Sequence, residues 1–439
     1  MSNLSILQLP LDILVNIMTN LSFADLRNVM LTCKALRDLI LANNSIWRLI
    51  SRDCRERLIL HNSSDNSQTL TLSWYNRCRI SHNWCRGIYR SKVVIYHQIN
   101  YMPWLKFHES QVLFLSVGSN LQCYPNDKKG LPNCKTTLWK LQVPTVKRFD
   151  VRTDDISRFV VKNNIIVCGN RDGCVAVYRM ENPRRKPYLL HHLIDCHENG
   201  QVEVSAVEIV NSTHKPCIVT ACDSIATLRF WSITPDINGT NGVTNSRSVC
   251  TNEINLGDNI GVRCVALNST ESKLSIGPNG NSKPLLLDIN TSKLVLTFES
   301  TKNIKQAVRD VRWHNENIIT FVTHSGMLQM LDTRTGNLVY EAIDPFQSTL
   351  YCVKSDGVNS ILVGSSEYSR CVLFDARNPA HHVQMYFTQK KSSPIYSLDF
   401  DSTKLIAAAD RSIAVLNFNI NPYTVETRDY SHAFEFVNR

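Results

Sequence analysis

From about residue 90 to residue 417 one pattern recurs seven times: a short apolar strand, a turn of small residues, and an alternating strand closing on a bulky apolar side chain. IIVCGNRDGCVAVYR and ILVGSSEYSRCVLFD are two of the copies. The closing residues are Tyr124, Tyr178, Trp231, Leu287, Leu331, Phe374 and Leu416, at separations of 54, 53, 56, 44, 43 and 42 residues. One such unit cannot bury its apolar face alone, so the copies must stack on one another. A period of roughly 40–45 residues gives room for four strands, which is the requirement of a β-propeller blade. Polar inserts account for the three longer spacings: Asn126–Lys135, Asn182–Pro187 and Thr234–Ser246. Further strands are expected ahead of each motif, among them Ser205–Val210 and Val308–Trp313. Val93–Tyr96 precedes the first full motif and is expected to form the outer strand of the last blade, because pairing the two chain ends removes exposed edges.

The first sixty residues follow a different rhythm. After Pro10, tolerated at a helix start, Leu14, Ile17, Met18 and Leu21 keep the spacing of one helical face. Ser22 with Asp25 three residues on makes a start resembling a capping box. Leu26, Val29, Met30 and Cys33 then share a side, Leu36, Leu39 and Ile40 continue the pattern, and Ile46, Trp47, Leu49 and Ile50 open another helix. Leu9, Ile13, Val15 and Phe23 lie off the main stripes. A unit this small cannot bury two apolar faces, so either the rest of the chain or another protein covers them.

The order Leu9-Pro10-x-x-Ile13-Leu14-x-x-Ile17-x-x-x-Leu21, followed by Asp25-Leu26, Cys33-Lys34 and Trp47, resembles an F-box. The resemblance implies binding of a Skp1-type adaptor and, through it, a cullin and a RING protein. We expect Leu9, Pro10, Ile13, Ile17 and Leu26 to contact the adaptor, with Leu14 and Leu21 internal. The repeats resemble WD40 blades, although only one closing residue is tryptophan and Asp follows it in just some copies (Asp288, Asp332, Asp375). The Asp–His–Ser–Trp network of that family is therefore expected to be weak. Asn83-Trp84-x-x-Gly87 is similar to the segment that leads into the propeller of F-box/WD-repeat proteins. Met102-Pro103-Trp104, Ser348–Cys352, Gly364–Ser366 and Ser393–Tyr396 extend that resemblance over nearly the whole chain.

The fold expected is multidomain: a small all-α F-box (1–58), a linker with a helical segment (59–91), an all-β seven-bladed WD40-like propeller (92–420) and a tail (421–439). Residues 59–72 read as a flexible Asn/Ser-rich loop. Trp74–Gly87 reads either as a surface helix or as that family's connecting segment.

Several functions lack their chemistry. No CxxC pair, GxxxxGK[ST], HExxH or GxSxG is present, so zinc, phosphate-loop and nucleophile-elbow sites are not expected, and no cofactor is called for. The cysteines are scattered singly, as in a reducing cytoplasmic or nuclear setting. His191-His192 and His381-His382 are placed in loops. No apolar run is long enough to span a membrane, and the apolar start lacks a basic leader and is interrupted by Asp12. The net charge of +10 favours acidic partners without choosing among them. Lys128-Lys129 and Arg184–Lys186 fall in inserts and read first as solvated loop charge; nucleic acid is not favoured, because no aromatic platform accompanies them.

The resemblance implies the substrate-recognition subunit of a Skp1–cullin–F-box (SCF) ubiquitin ligase, without catalysis of its own. The alternatives are a non-degradative scaffold and a nucleic-acid-associated propeller. The turns between second and third strands lie on the face that such propellers offer to partners, and its rim includes Arg171, His324, Tyr368 and Arg411. Arg171 and Arg411 are read either as carboxylate- or phosphate-binding groups for a protein substrate or as braces for their own hairpins, beside Asp172 and Asp410.

Overall fold

The computed structural model describes residues 6–51, 72–96, 102–109, 111–128, 130–133, 135–146, 154–211, 216–233, 250–257, 261–297, 307–387 and 392–421. The expected loop 59–72 except its last residue, the whole Thr234–Ser246 insert and the tail beyond 421 lie outside these residues. The chain divides into two compact units, one of residues 1–91 with 402–404 and 416–439, the other of 92–401 with 405–415.

Among the described residues the first unit is built on five α-helices, α1 (Leu11–Thr19), α2 (Phe23–Thr32), α3 (Lys34–Ala42), α4 (Asn44–Ile50) and α5 (Trp74–Arg86). Each start has a local cause. Ser22 Oγ accepts the Asp25 amide at 3.1 Å and donates to the Asp25 carboxylate at 2.6 Å. Asn43 accepts Ser45 N, and Ser73 accepts Asn76 N. Cys33 is not part of the α2 face. Its backbone is extended (φ −155°, ψ 159°), and its sulfur accepts the Leu36 amide at the start of α3. α5 ends on Gly87, whose φ of 63° is the left-handed conformation that glycine adopts without penalty.

Phe23, Leu26, Leu36, Ile40, Ile46 and Trp47 form the core of these helices together with Met18 and Cys78. Trp47 donates its indole N–H to Ile40 O at 2.8 Å, and Phe23 stacks on His82 at 4.6 Å. Phe23 therefore belongs to the interior, not to a second face. The segment 74–87 is not a surface helix either, because Ile80, Asn83 and Trp84 are buried. In the same unit Asn83 donates to Phe418 O and Ile420 O at 2.8 and 3.0 Å, and Trp84 stacks on Phe418 with ring centroids 3.4 Å apart.

The second unit is a ring of seven antiparallel four-stranded sheets. Its inner strands are Leu105–His108, Ile156–Lys162, Val204–Val210, Val262–Leu267, Val308–Trp313, Leu350–Ser355 and Ile395–Phe400, which define blades 1 to 7 in that order. Each inner strand packs on the next, and blade 7 returns to blade 1. The outer strand of blade 7 is Arg90–Tyr96, paired beside Ser412–Asn417, so the closing strand expected at Val93–Tyr96 is found. All three inserts follow the third strand of their blade.

The small residues of the repeat have a packing reason. A Cβ on Gly169 would come within 2.9 Å of Val204, one on Gly277 within 2.9 Å of Val308, and one on Gly364 within 2.8 Å of Ile395. In each case a second strand would collide with the next blade's inner strand. The histidine pairs are not in loops: His191 and His192 lie on a strand, Tyr188–Leu193, and His381 and His382 on another, Asn378–Tyr386. Both are outer strands, where the repeat pattern gives the weakest apolar signal.

The polar framework differs from blade to blade. Around blade 3, His197 Nε2 and the Trp231 indole both reach Thr220 Oγ1, at 3.0 and 2.9 Å, all three side chains being buried. Between blades 5 and 6 the work falls to Asp344, which takes the amides of Phe346 and Ser348 and a 2.6 Å bond from Arg370. Both members of that ion pair are wholly buried. Asp332 and Asp375, at the WD-like positions, each clasp the arginine two residues on, Arg334 and Arg377.

Two stability outcomes follow from these networks. Asp344→Ala leaves the Arg370 guanidinium buried without its counter-ion and should lower unfolding stability by about 3–5 kcal/mol; Asp344→Asn, which keeps amide acceptors, should cost less. Urea unfolding with equal losses for the two would refute this assignment. Burial first, and Arg229 second, hold His197 down at about 4. The unfolded side chain titrates near 6.5, so the neutral imidazole favours the fold above that value. Stability should fall as pH drops from about 6.5 through about 4, and His197→Gln should flatten that slope in pH-resolved thermal melts.

Candidate functional site

Two surfaces stand out, one on each unit. On the helical unit, Ile13 and Ile17 share a side of α1, and Leu9 lies four residues ahead of Ile13, just before the helix. All three are exposed, Ile13 at 48%, and Pro10 is exposed beside them. Leu14 and Met18, one step round the helix, face the interior instead. Leu26 does not belong with the exposed group: its side chain is 0% accessible and sits in the core beside Phe23 and Trp47. Here Leu26 faces inward from α2 into that core and offers no surface to a partner. The sequence reading missed Leu7, Leu11, Leu31 and Leu49, all exposed, Leu31 at 66%. Leu31 carried a signal in principle, since it lies off the Phe23–Leu26–Met30 side of α2.

On the propeller, Arg171, His324, Tyr368 and Arg411 occupy second-to-third-strand turns of blades 2, 5, 6 and 7. The alternation of antiparallel strands puts all four turns at one end of the ring. The contacts of Arg171 reach across a blade boundary. The Asp172 carboxylate accepts the amides of Val146 and Cys174 at 2.8 and 2.9 Å. Arg171 lies 3.8 Å from Glu203 of the next blade and points a guanidinium N–H at Met102 sulfur. The adjoining turn demands glycine at 173, where φ is +85° and an added Cβ would strike Gly200 O at 2.3 Å.

His324 holds Thr349 Oγ1 at 3.0 Å, and burial, then Arg309 and Arg263, push its imidazole below the ordinary range. Tyr368 has a left-handed backbone, φ 60°, and its ring stands 5.7 Å from Phe346. Arg411 is half-buried. The inner strands place more side chains at this end, which the sequence reading did not single out. Arg309 lies 4.8 Å over the Tyr351 ring, and Tyr351 is 5.5 Å from Tyr396. Deeper in the channel Asp310 meets Arg158 at 3.1 Å and accepts the Val353 amide. Asp399 accepts the Phe107 amide, with Lys354 at 3.6 Å and Lys106 at 3.9 Å. Burial pushes the Asp399 carboxyl up, but those two ammonium groups and that amide hold it below its usual value.

Among the described residues no group of three His, Cys, Asp or Glu side chains is placed to hold a metal ion, and every described cysteine is a free thiol. Burial raises most of these thiols, Cys123 to about 12; a protonated, enclosed thiol is a poor nucleophile. No helix among the described residues is long and apolar enough to cross a membrane. The two surfaces present binding groups: an apolar row on helices, and an aromatic and basic channel mouth.

The family model described as F-box-like matches residues 6–53. Over 421 residues, 94% of this chain and 93% of the relative, the sequence is 24% identical to F-box/WD repeat-containing protein 4 of Mus musculus. The same identity and coverage hold for F-box/WD repeat-containing protein 4 of Homo sapiens. The resemblance to F-box/WD-repeat proteins is shown by these comparisons, and an F-box-like helical region followed by a seven-bladed propeller describes the fold.

The burial difference within the helical unit makes a direct test. Leu26→Ala should destabilise it by about 2–5 kcal/mol, as for a large core residue. Ile13→Ala, on the exposed side, should cost less than about 0.5 kcal/mol. Circular dichroism melts in which the two variants behave alike would show that this helix face is misassigned.

Proposed function

We propose that this chain is the substrate-recognition subunit of an SCF-type ubiquitin ligase. Residues 1–58 dock a Skp1-type adaptor, and through it a cullin and a RING protein; residues 59–91 connect; the propeller, 92–420, holds a protein substrate. The observation that carries the reading is the exposed apolar row Leu9, Ile13 and Ile17, with Pro10, inside the segment that matches the F-box-like family. Side chains of this kind, left in water by a folded helical unit, are what a partner helix or groove buries.

The chain contributes position, which is a large share of a transfer reaction when the reactive groups reside on partners. The propeller mouth supplies the substrate face, with Arg171, His324, Tyr368 and Arg411 on its rim. Cytoplasm or nucleus suits a chain whose described cysteines are free thiols.

The decisive experiment is co-purification of the adaptor and in vitro ubiquitin transfer with the full chain. Leu9→Ala, Pro10→Ala and Ile13→Ala combined should reduce adaptor recovery by at least about tenfold, since a buried apolar anchor is worth roughly 2 kcal/mol or more. The propeller should melt at its usual temperature. Full recovery of the adaptor by a folded triple variant would overturn the reading.

A further inference from the structure

We propose that the channel mouth of the propeller is a receptor for a polypeptide C-terminus, with Arg309 and Arg263 holding the α-carboxylate and Tyr351 and Tyr396 seating the last side chain. The proposal rests on the reading of the propeller as the substrate-holding unit and names the chemical form of what it holds.

The inner strands set the geometry. The second residue of the strand in blades 2 to 7 is Ser157, Ser205, Arg263, Arg309, Tyr351 and Tyr396, and Trp104 stands just before the blade 1 strand. The two serines are engaged by their neighbours, Ser157 donating to Val204 O and Ser205 to Val262 O. The remaining positions form two walls, cationic in blades 4 and 5 and aromatic in blades 6, 7 and 1. The walls are continuous, because Arg309 lies over Tyr351 and Tyr351 against Tyr396.

Four acids at this end are already engaged. Glu203 faces Arg171, Asp410 bonds the Tyr396 hydroxyl, and Glu367 takes Ser348 Oγ. Asp223 is 3.8 Å from Arg263. Arg309 has no acid against it: it shares a hydrogen bond with Tyr351, feels the neighbouring cation Arg263, and leaves its buried Nε without a hydrogen-bond partner. Asp223 and Asn279 already engage Arg263, which leaves Arg309 as the half-buried cation in need of an anion.

The floor decides which anion. Arg158 of blade 2 and Asp310 of blade 5 join across the channel at 3.1 Å, and the Arg158 guanidinium lies 4.2 Å over Trp104. Arg158 is itself buried, and its Nη1 has no partner. An extended chain cannot run through a channel closed in this way, whereas a chain end can enter and stop. A terminus brings a planar carboxylate at its tip, suited to guanidinium groups, followed at once by a side chain for the tyrosines.

The test uses the immobilised full chain and two pools of random-sequence dodecapeptides, identical except for a free C-terminal carboxylate or a C-terminal amide. The acid pool should be retained on the order of tenfold better, the loss expected for one charge-assisted contact, and enriched in large apolar or aromatic last residues. Arg309→Gln and, separately, Tyr351→Ala should bring retention down to the amide level without changing adaptor co-purification. Arg263→Gln serves as a further variant should Arg309→Gln melt early. Equal retention of the two pools at any level overturns the proposal, as does preferential retention through internal acidic or phosphorylated segments. Either result leaves the ligase reading standing if adaptor binding and ubiquitin transfer persist.

Discussion

Each inner strand of the propeller has apolar neighbours on both sides, and that single requirement organises the ring. A sheet of four strands cannot shield its own faces, so every blade depends on the next, and the last must meet the first. The strand Arg90–Tyr96, hydrogen-bonded at the outside of blade 7, makes this possible by joining sequence that precedes blade 1 to sequence that ends the ring. Close approach between blades then restricts what the second strands can carry. Glycine at 169, 277 and 364 is the local consequence, each facing a β-branched residue that opens the neighbouring inner strand.

Because packing holds the ring, its polar network is free to vary. Blade 3 retains a histidine–threonine–tryptophan chain, whereas the junction of blades 5 and 6 uses a buried aspartate and arginine. In the channel, Asp310 and Asp399 each accept an amide from the following blade while meeting cations. These carboxylates satisfy backbone groups that the inner-strand ladders leave open, and a buried amide without such a partner would be costly. Erosion of the repeat signature in the sequence therefore did not mean erosion of the fold. It meant a different solution for each blade.

The helical unit shows how function arises from what is left over. Trp47, Phe23 and Leu26 fill its interior, and the apolar residues that this interior cannot accommodate stay in water along α1. At the propeller mouth the same logic applies to charge. Once Glu203, Asp223, Asp410 and Glu367 are matched, the cations and tyrosines of blades 4 to 7 stand together without an acid for Arg309.

Local rules sufficed for the elements and their number. Periodicity showed the helices, the Ser22 cap, seven blades, the place of the inserts and the closing strand, because each depends on near-neighbour spacing. The division of apolar residues between core and surface was not legible. Leu26 and Ile13 look alike on short helices with two apolar sides, and only the packing of α2 on α4 and α5 selects the first for burial. Partners of charged groups were equally hidden: Arg171 stands next to Asp172 in sequence but meets Glu203 across a blade boundary. The sequence by itself determined the repeat, the element types and the two-part plan. Which side chains converge on the channel mouth was decided by ring closure, since that alone brings residues from blades dozens or hundreds of positions apart to one opening.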